Sequence, residues 1–168
     1  MKLIVKFFLM VSVFFSFTSL AFCQSKNTTN TTVIIVRHAE KQTGDDPALT
    51  EAGMKRAEKL SSLFPGTKPD EIYTTPYVRT RQTITPWAKE AGVEMKEYNP
   101  KNLQELVTYL KTLEGKTVLI AGHSNTNPQL VNLLINEEKY KNLDESDYST
   151  QYIITLKDGV GTAKVLKN

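Results

Sequence analysis

Apolar positions along this chain switch repeatedly between two spacings. "TVIIV" (32–36) is an unbroken β-branched run, the pattern of a strand buried on both faces. "LTEAGMKRAEKLSSLF" (49–64) changes to helical spacing, with Ala57, Leu60 and Phe64 on one stripe and Thr50 placed to cap its start. "EIYT" (71–74) predicts a short strand, and "VRTRQTITPWAKEAG" (78–92) a helix bent or interrupted near Pro86. "VEMKEY" (93–98) predicts another strand. "NLQELVTYLKTL" (102–113) predicts a helix that sets Leu103, Leu106, Val107, Leu110 and Leu113 on one face. "TVLIAG" (117–122) is a second buried run, and "PQLVNLLI" (128–135) reads as a helix with Asn127 as its cap and Pro128 in its first turn. "QYIITL" and "TAKVLK" close the chain as two strands around Asp158-Gly159-Val160-Gly161. Strands alternating with helices predict an α/β fold with a mostly parallel sheet covered on both faces. Such strands share a carboxyl edge, where ligands bind.

The first 23 residues break this pattern. Lys2 and Lys6 precede an almost wholly apolar stretch from Phe7 to Phe17, followed by the smaller residues of "TSLAFCQ". That is the layout of a secretory signal peptide, and the apolar part is shorter than the roughly 20 residues of a membrane span. A cut after Cys23 is expected to release a secreted or periplasmic protein with no stable membrane insertion. "LAFC" also offers Cys23 as a lipid anchor site, an alternative in which Phe22 fits poorly. Residues 24–31, polar and rich in Asn and Thr, form a flexible lead into a domain spanning 32–168. Asn27 and Asn30 within that lead fit the Asn-x-Ser/Thr pattern, which in this setting reads as a solvated linker.

Removing the leader's two lysines lowers the formal charge from +3 to +1, so the mature domain has no electrostatic footprint for nucleic acid. Cys23 is the only cysteine, which excludes intramolecular disulfides and cysteine-based metal sites.

The strand ends carry the candidate chemistry. "VIIV" releases Arg37 and His38; "EIYT" leads through Thr75, Pro76, Tyr77 and Val78 to Arg79 and Arg81; "VLIA" releases Gly122, His123 and Ser124. These are the chain's only two histidines. Parallel strands would gather all three sets at one edge, forming a compact cationic pocket whose natural guest is a phosphate group. Gly122 suits a tight turn and close approach of backbone to ligand. On a helix Arg81 points about 200° from Arg79, which reads as a surface salt bridge. Tyr77 reads equally as pocket lining or as filler. Ser124 beside His123 lacks the G-x-S-x-G elbow of a serine hydrolase. Two histidines without a third ligand do not make a zinc site, so no metal is expected.

"VRHAEK", "LTEAGMKRA", "YTTPYVRTRQT" and "GHSN", in that order, resemble the motifs of the histidine phosphatase superfamily, the phosphoglycerate mutase-like proteins, and the chain is closest in type to its short bacterial members. The resemblance implies a three-layer α/β/α sandwich and covalent phosphoryl transfer without a cofactor. It makes His38 the nucleophile, gives Arg37 and Arg79 the phosphate oxygens, and sets His123 to hydrogen-bond the phosphoryl group in flight. The physical chemistry agrees, because a histidine nucleophile is best held neutral by a bond from its other nitrogen, and arginines can neutralise the transferring oxygens.

Two departures stand out. Ala39 replaces the glycine usual after the nucleophile. The continuation "EKQTGDD" differs from that of mutase-like members, which weakens a mutase reading. For the proton donor, Glu40 is the candidate closer to His38 in sequence, and Glu105, the other candidate, lies on the polar face of its helix. The function expected is an exported phosphatase acting on a small phosphorylated substrate. A non-catalytic phosphate-binding domain is the alternative, and a mutase-type phosphotransferase the next.

Overall fold

The computed structural model describes residues 29–168, so the signal peptide, Cys23 and Asn27 lie outside the described residues. Its elements are β1 (Thr31–Arg37), α1 (Glu51–Lys59), β2 (Glu71–Thr74), α2 (Val78–Ala91), β3 (Met95–Glu97), α3 (Leu103–Leu110), β4 (Thr117–Gly122), α4 (Thr126–Ile135), β5 (Thr150–Lys157) and β6 (Val160–Lys167). One six-stranded sheet runs in the order β3-β2-β4-β1-β5-β6. Four strands are mutually parallel, β3-β2-β4-β1, while β5 and β6 add an antiparallel flank.

Alternation along β1 explains the layers. Val33 and Ile35 point into one core with Val118, Ile120, Leu106, Leu110, Leu130 and Leu134, beneath α3 and α4. Ile34 and Val36 point into the other with Leu119, Ile72, Ile84, Trp87 and Phe64, beneath α2 and the turn that follows α1, while α1 packs on α2. A strand buried on both faces has no polar alternation to show, hence the continuous apolar run. The result is an α/β/α sandwich.

Local differences have physical reasons. The helix through Pro86 is continuous from Val78 to Ala91. Proline removes one backbone donor, yet Ile84, Trp87, Ala88 and Ala91 are buried against the sheet, and packing holds the helix through it. The first helix ends at Lys59 and passes into a 3-10 turn over Ser61–Leu63, shorter than its stripe predicts, with Thr50 accepting from the Gly53 amide as its cap. The last helix starts at Thr126, so Asn127 is a buried first-turn residue and not its cap. β1 begins one residue earlier than the sequence predicts, and the Thr29 carbonyl accepts the Gly115 amide, which ties down the end of the lead. Asp158 and Gly159, both at positive φ, form the two-residue turn between β5 and β6, the pairing that a tight hairpin requires.

Candidate active site

Because β2, β4 and β1 lie side by side and parallel, their carboxyl ends open together. Arg37 pairs with Gly122 in the register, and the His38 amide donates to the Gly122 carbonyl at 3.0 Å. This sets the His38 and His123 rings 5.5 Å apart, edge to face. An added Cβ at Gly122 would lie 2.1 Å from Asn127 Oδ1, so close packing against α4 reserves this turn for glycine. The start of α4 meets the same edge: Thr126 Oγ1 accepts the His123 amide, and the Asn127 amide bonds the His123 carbonyl. A helix amino terminus favours negative charge.

The tautomer of each histidine follows from its partners. His38 Nδ1 lies 2.8 Å from the Ala39 carbonyl; a carbonyl only accepts, so Nδ1 carries the proton and Nε2 keeps its lone pair. At His123 the order comes from a chain of hydroxyls. Thr80 can donate to the carbonyls of Thr75 and Tyr77. Thr75 then donates to Thr80 at 2.8 Å and accepts from His123 Nε2 at 3.0 Å. His123 Nδ1 is left to accept from Arg79 Nη2 at 3.4 Å. Burial lowers the His38 pKa to about 4, with the charges of Arg37 and Arg79 adding to it. Burial followed by the Arg79 charge lowers His123 to about 3. Both rings are neutral near pH 7.

Thr83 supports this arrangement from α2. Its hydroxyl accepts the Ala39 amide at 2.9 Å and donates to the Arg79 carbonyl at 2.7 Å, joining the His38 turn to the turn that bears Arg79. Ala39 is not at positive φ, so alanine fills the usual glycine position without strain.

A cavity of about 350 Å³ opens over these groups, lined by His38, His123, Arg79, Tyr77, Lys41 and Lys101 among others. Tyr77 stands edge-on to His123 at 5.1 Å and under the Arg79 guanidinium at 4.5 Å, which settles it as pocket lining. Arg81 points away and pairs with Glu97. Arg37 is brought to His38 but lies behind the cavity wall. Its Nη1 donates to the carbonyls of Asp144 and Asp147, its Nη2 bonds Glu145 at 3.0 Å, and its guanidinium stacks on Tyr148 at 4.5 Å. Among the described residues, the buried Nε atoms of Arg37 and Arg79 have no hydrogen-bond partner.

Neither expected donor reaches the cavity. Glu40 turns the other way, its carboxylate gripped by Arg56 through Nε and Nη2 at 2.7–3.0 Å. The Arg56 bond holds its carboxyl below the usual carboxylate range. Glu105 lines a separate cavity with Tyr73, Tyr98 and Tyr109 and takes a bond from Asn102. The residues that sequence reasoning missed are Thr75, Thr83, Asp46 (which accepts from the Val78 amide and Arg79), Tyr148 and Glu145. Thr75 and Thr83 stood inside the quoted motif. Glu145 and Tyr148 stand in "NLDESDYST", which has no periodicity to mark it. Only the topology places them: β5 runs antiparallel to β1, so the loop entering it hangs over the carboxyl end of β1.

Residues 33–107 match the family model described as histidine phosphatase superfamily (branch 1). This match supports assigning the chain to the histidine phosphatase superfamily. Among solved structures, alpha-ribazole phosphatase from Shigella flexneri aligns with a TM-score of 0.69 at 13% identity over 82% of this chain and 96% of that one. The protein histidine phosphatase SixA, solved with tungstate, aligns with a TM-score of 0.67 at 17% identity, over 81% and 96% of the two chains. Phosphoserine phosphatase from Entamoeba histolytica, solved with 3-phosphoglyceric acid, aligns with a TM-score of 0.64 at 18% identity, over 82% and 97%. At these identities the likeness is one of fold. No curated protein matches the chain. The family match supports phosphatase activity in general terms. The family match includes Arg37, His38 and Arg79 and stops before His123 and the loop carrying Glu145.

Proposed function

We propose that this protein is an exported phosphatase of the histidine phosphatase superfamily, hydrolysing a small phosphomonoester or related phosphoryl compound through a phosphohistidine at His38. One observation carries the reading: the proton of His38 is committed to the Ala39 carbonyl, leaving an unprotonated Nε2 beside His123 and Arg79 at the floor of a cationic cavity. In the first step Nε2 attacks phosphorus, the bond to the leaving oxygen breaks, and Arg79 takes the charge on the equatorial oxygens; His123 adds a bond once the arriving anion has led it to take up a proton at Nδ1. In the second, water attacks the phosphohistidine and returns the lone pair to Nε2. Arg37 joins by exchanging one of its loop contacts for a phosphate oxygen. The substrates named for the fold neighbours, an α-ribazole phosphate, phosphoserine and a protein phosphohistidine, make a sensible first panel.

The test is turnover of p-nitrophenyl phosphate and of that panel by the purified domain. His38→Ala is expected to abolish turnover and the acid-labile phosphoenzyme while leaving the circular dichroism spectrum unchanged. Unchanged turnover in that variant rules out the mechanism. A second reading, a non-catalytic phosphate-binding domain, draws support from the absence of Glu40 and Glu105 from the cavity; it requires tungstate binding with no phosphoenzyme. Export rests on the composition of residues 1–23. It is tested by the amino-terminal sequence of the protein recovered outside the cytoplasm, expected to begin at Gln24.

A further inference from the structure

The reaction needs a proton at the leaving oxygen, and neither Glu40 nor Glu105 reaches the cavity to supply it. Among the described residues, Glu145 is the one carboxylate lining the cavity. Its Oε1 accepts from Ser124 Oγ at 2.6 Å and its Oε2 from Arg37 Nη2 at 3.0 Å, so it bridges the end of β4 to the arginine beside the nucleophile. The side chain is otherwise open, 78% exposed, and free to swing without disturbing the core. Asp46 is the other carboxylate within reach of an active-site arginine. Both of its oxygens accept from the Val78 amide and one also takes Arg79 Nη1 at 3.3 Å, which commits it to holding the start of α2.

We propose that Glu145 is the proton donor and acceptor of this site, an assignment that rests on the phosphatase reading above. The Ser124 hydroxyl, and then the Arg37 charge, hold its carboxyl below the usual carboxylate range. An arriving phosphate dianion competes for Arg37 Nη2. The carboxylate then loses its cation and faces a like charge, both of which raise its affinity for a proton. The protonated Glu145 gives that proton to the leaving oxygen as the P–O bond breaks and the bond from His38 Nε2 to phosphorus forms. The resulting carboxylate takes a proton from the water that attacks the phosphohistidine. The N–P bond breaks, inorganic phosphate leaves, and Glu145 is again the acid. Ser124 acts as a positioning residue through Oε1.

Leaving-group dependence tests this. A poor leaving group needs the proton and a good one does not, so Glu145→Gln is expected to lower kcat on an alkyl phosphate by about 100-fold or more, the usual worth of general acid catalysis. On p-nitrophenyl phosphate the loss in the first step is expected to stay under about tenfold, read as the rate of phosphoenzyme formation in rapid quench. Equal loss on both substrates overturns the assignment and leaves Glu145 as a tether for Arg37; so does no loss on either, and so does the selective pattern in Asp46→Asn. If the wild-type protein forms no phosphoenzyme from p-nitrophenyl phosphate, it is the phosphatase reading that has failed. An independent readout is proton uptake on binding tungstate, measured by calorimetry in buffers of different ionisation enthalpy: Glu145→Gln is expected to take up fewer protons than wild type, and identical uptake overturns the coupling.

Discussion

At the scale of single residues, the site depends on where two protons sit. His123 is oriented by Thr75, so Thr75→Val leaves a buried imidazole N–H without an acceptor. A lost buried hydrogen bond of this kind costs about 1.4 kcal/mol. The expected outcome is a roughly tenfold lower kcat/KM and a lower urea midpoint, with Thr75→Ser recovering most of both. The neutral histidines also set a pH dependence of stability. Their unfolded-state pKa is near 6.5, while the folded values are about 4 for His38 and about 3 for His123. Above pH 6.5 neither state holds the proton and nothing is lost. Below it the unfolded chain takes up protons that the native site refuses, so stability falls as pH drops from 6.5. The slope is roughly 1.4 kcal/mol per pH unit for each histidine. Urea unfolding at pH 7.5, 6 and 5 is expected to show this decline, and His123→Asn to shallow it. His38, His123, Arg37 and Arg79 were legible in the sequence because each follows an apolar run or stands in a compact motif. Thr75 was legible only as part of such a motif, since nothing local says which hydroxyl a distant imidazole will meet.

At the scale of elements, the turn after β4 is the tightest junction. Gly122→Ala puts a methyl 2.1 Å from Asn127 Oδ1 and 2.7 Å from the Tyr98 hydroxyl. Overpacking of this order costs about 1–3 kcal/mol, and part is expected to return in Gly122→Ala/Asn127→Ala, as read by denaturant midpoints. Asn127 was expected as a helix cap, and it is instead a buried polar side chain whose Nδ2 and Oδ1 lack partners among the described residues. The cap preference of asparagine is real, but here the helix begins earlier through Thr126 and the His123 carbonyl. Element type was readable along nearly the whole chain, because the apolar spacing shifts with each element. Strand direction was not: "QYIITL" has the same residues whichever way it runs. Its antiparallel placement beside β1 is decided by pairing partners far away in sequence.

At the scale of the whole molecule, one half of the site is written in the first motifs and the other half is assembled by topology. Lys41, Arg79 and Lys101 face the cavity and leave it net positive even with Glu145 present. KM for a dianionic substrate is therefore expected to rise several-fold between low salt and about 0.5 M, with kcat little changed, since the Debye length shrinks below about 10 Å over that range. Lys41→Ala/Lys101→Ala is expected to flatten the dependence. The loop ahead of β5 is fastened to Arg37 by two carbonyls, a carboxylate and an aromatic ring. A guest that captures that guanidinium must loosen this fastening, and a loosened loop must settle again before the next guest is gripped. Amide exchange across residues 144–149 would then act as a clock for the site, ticking at one rate when it is vacant and at another when an oxyanion is in residence.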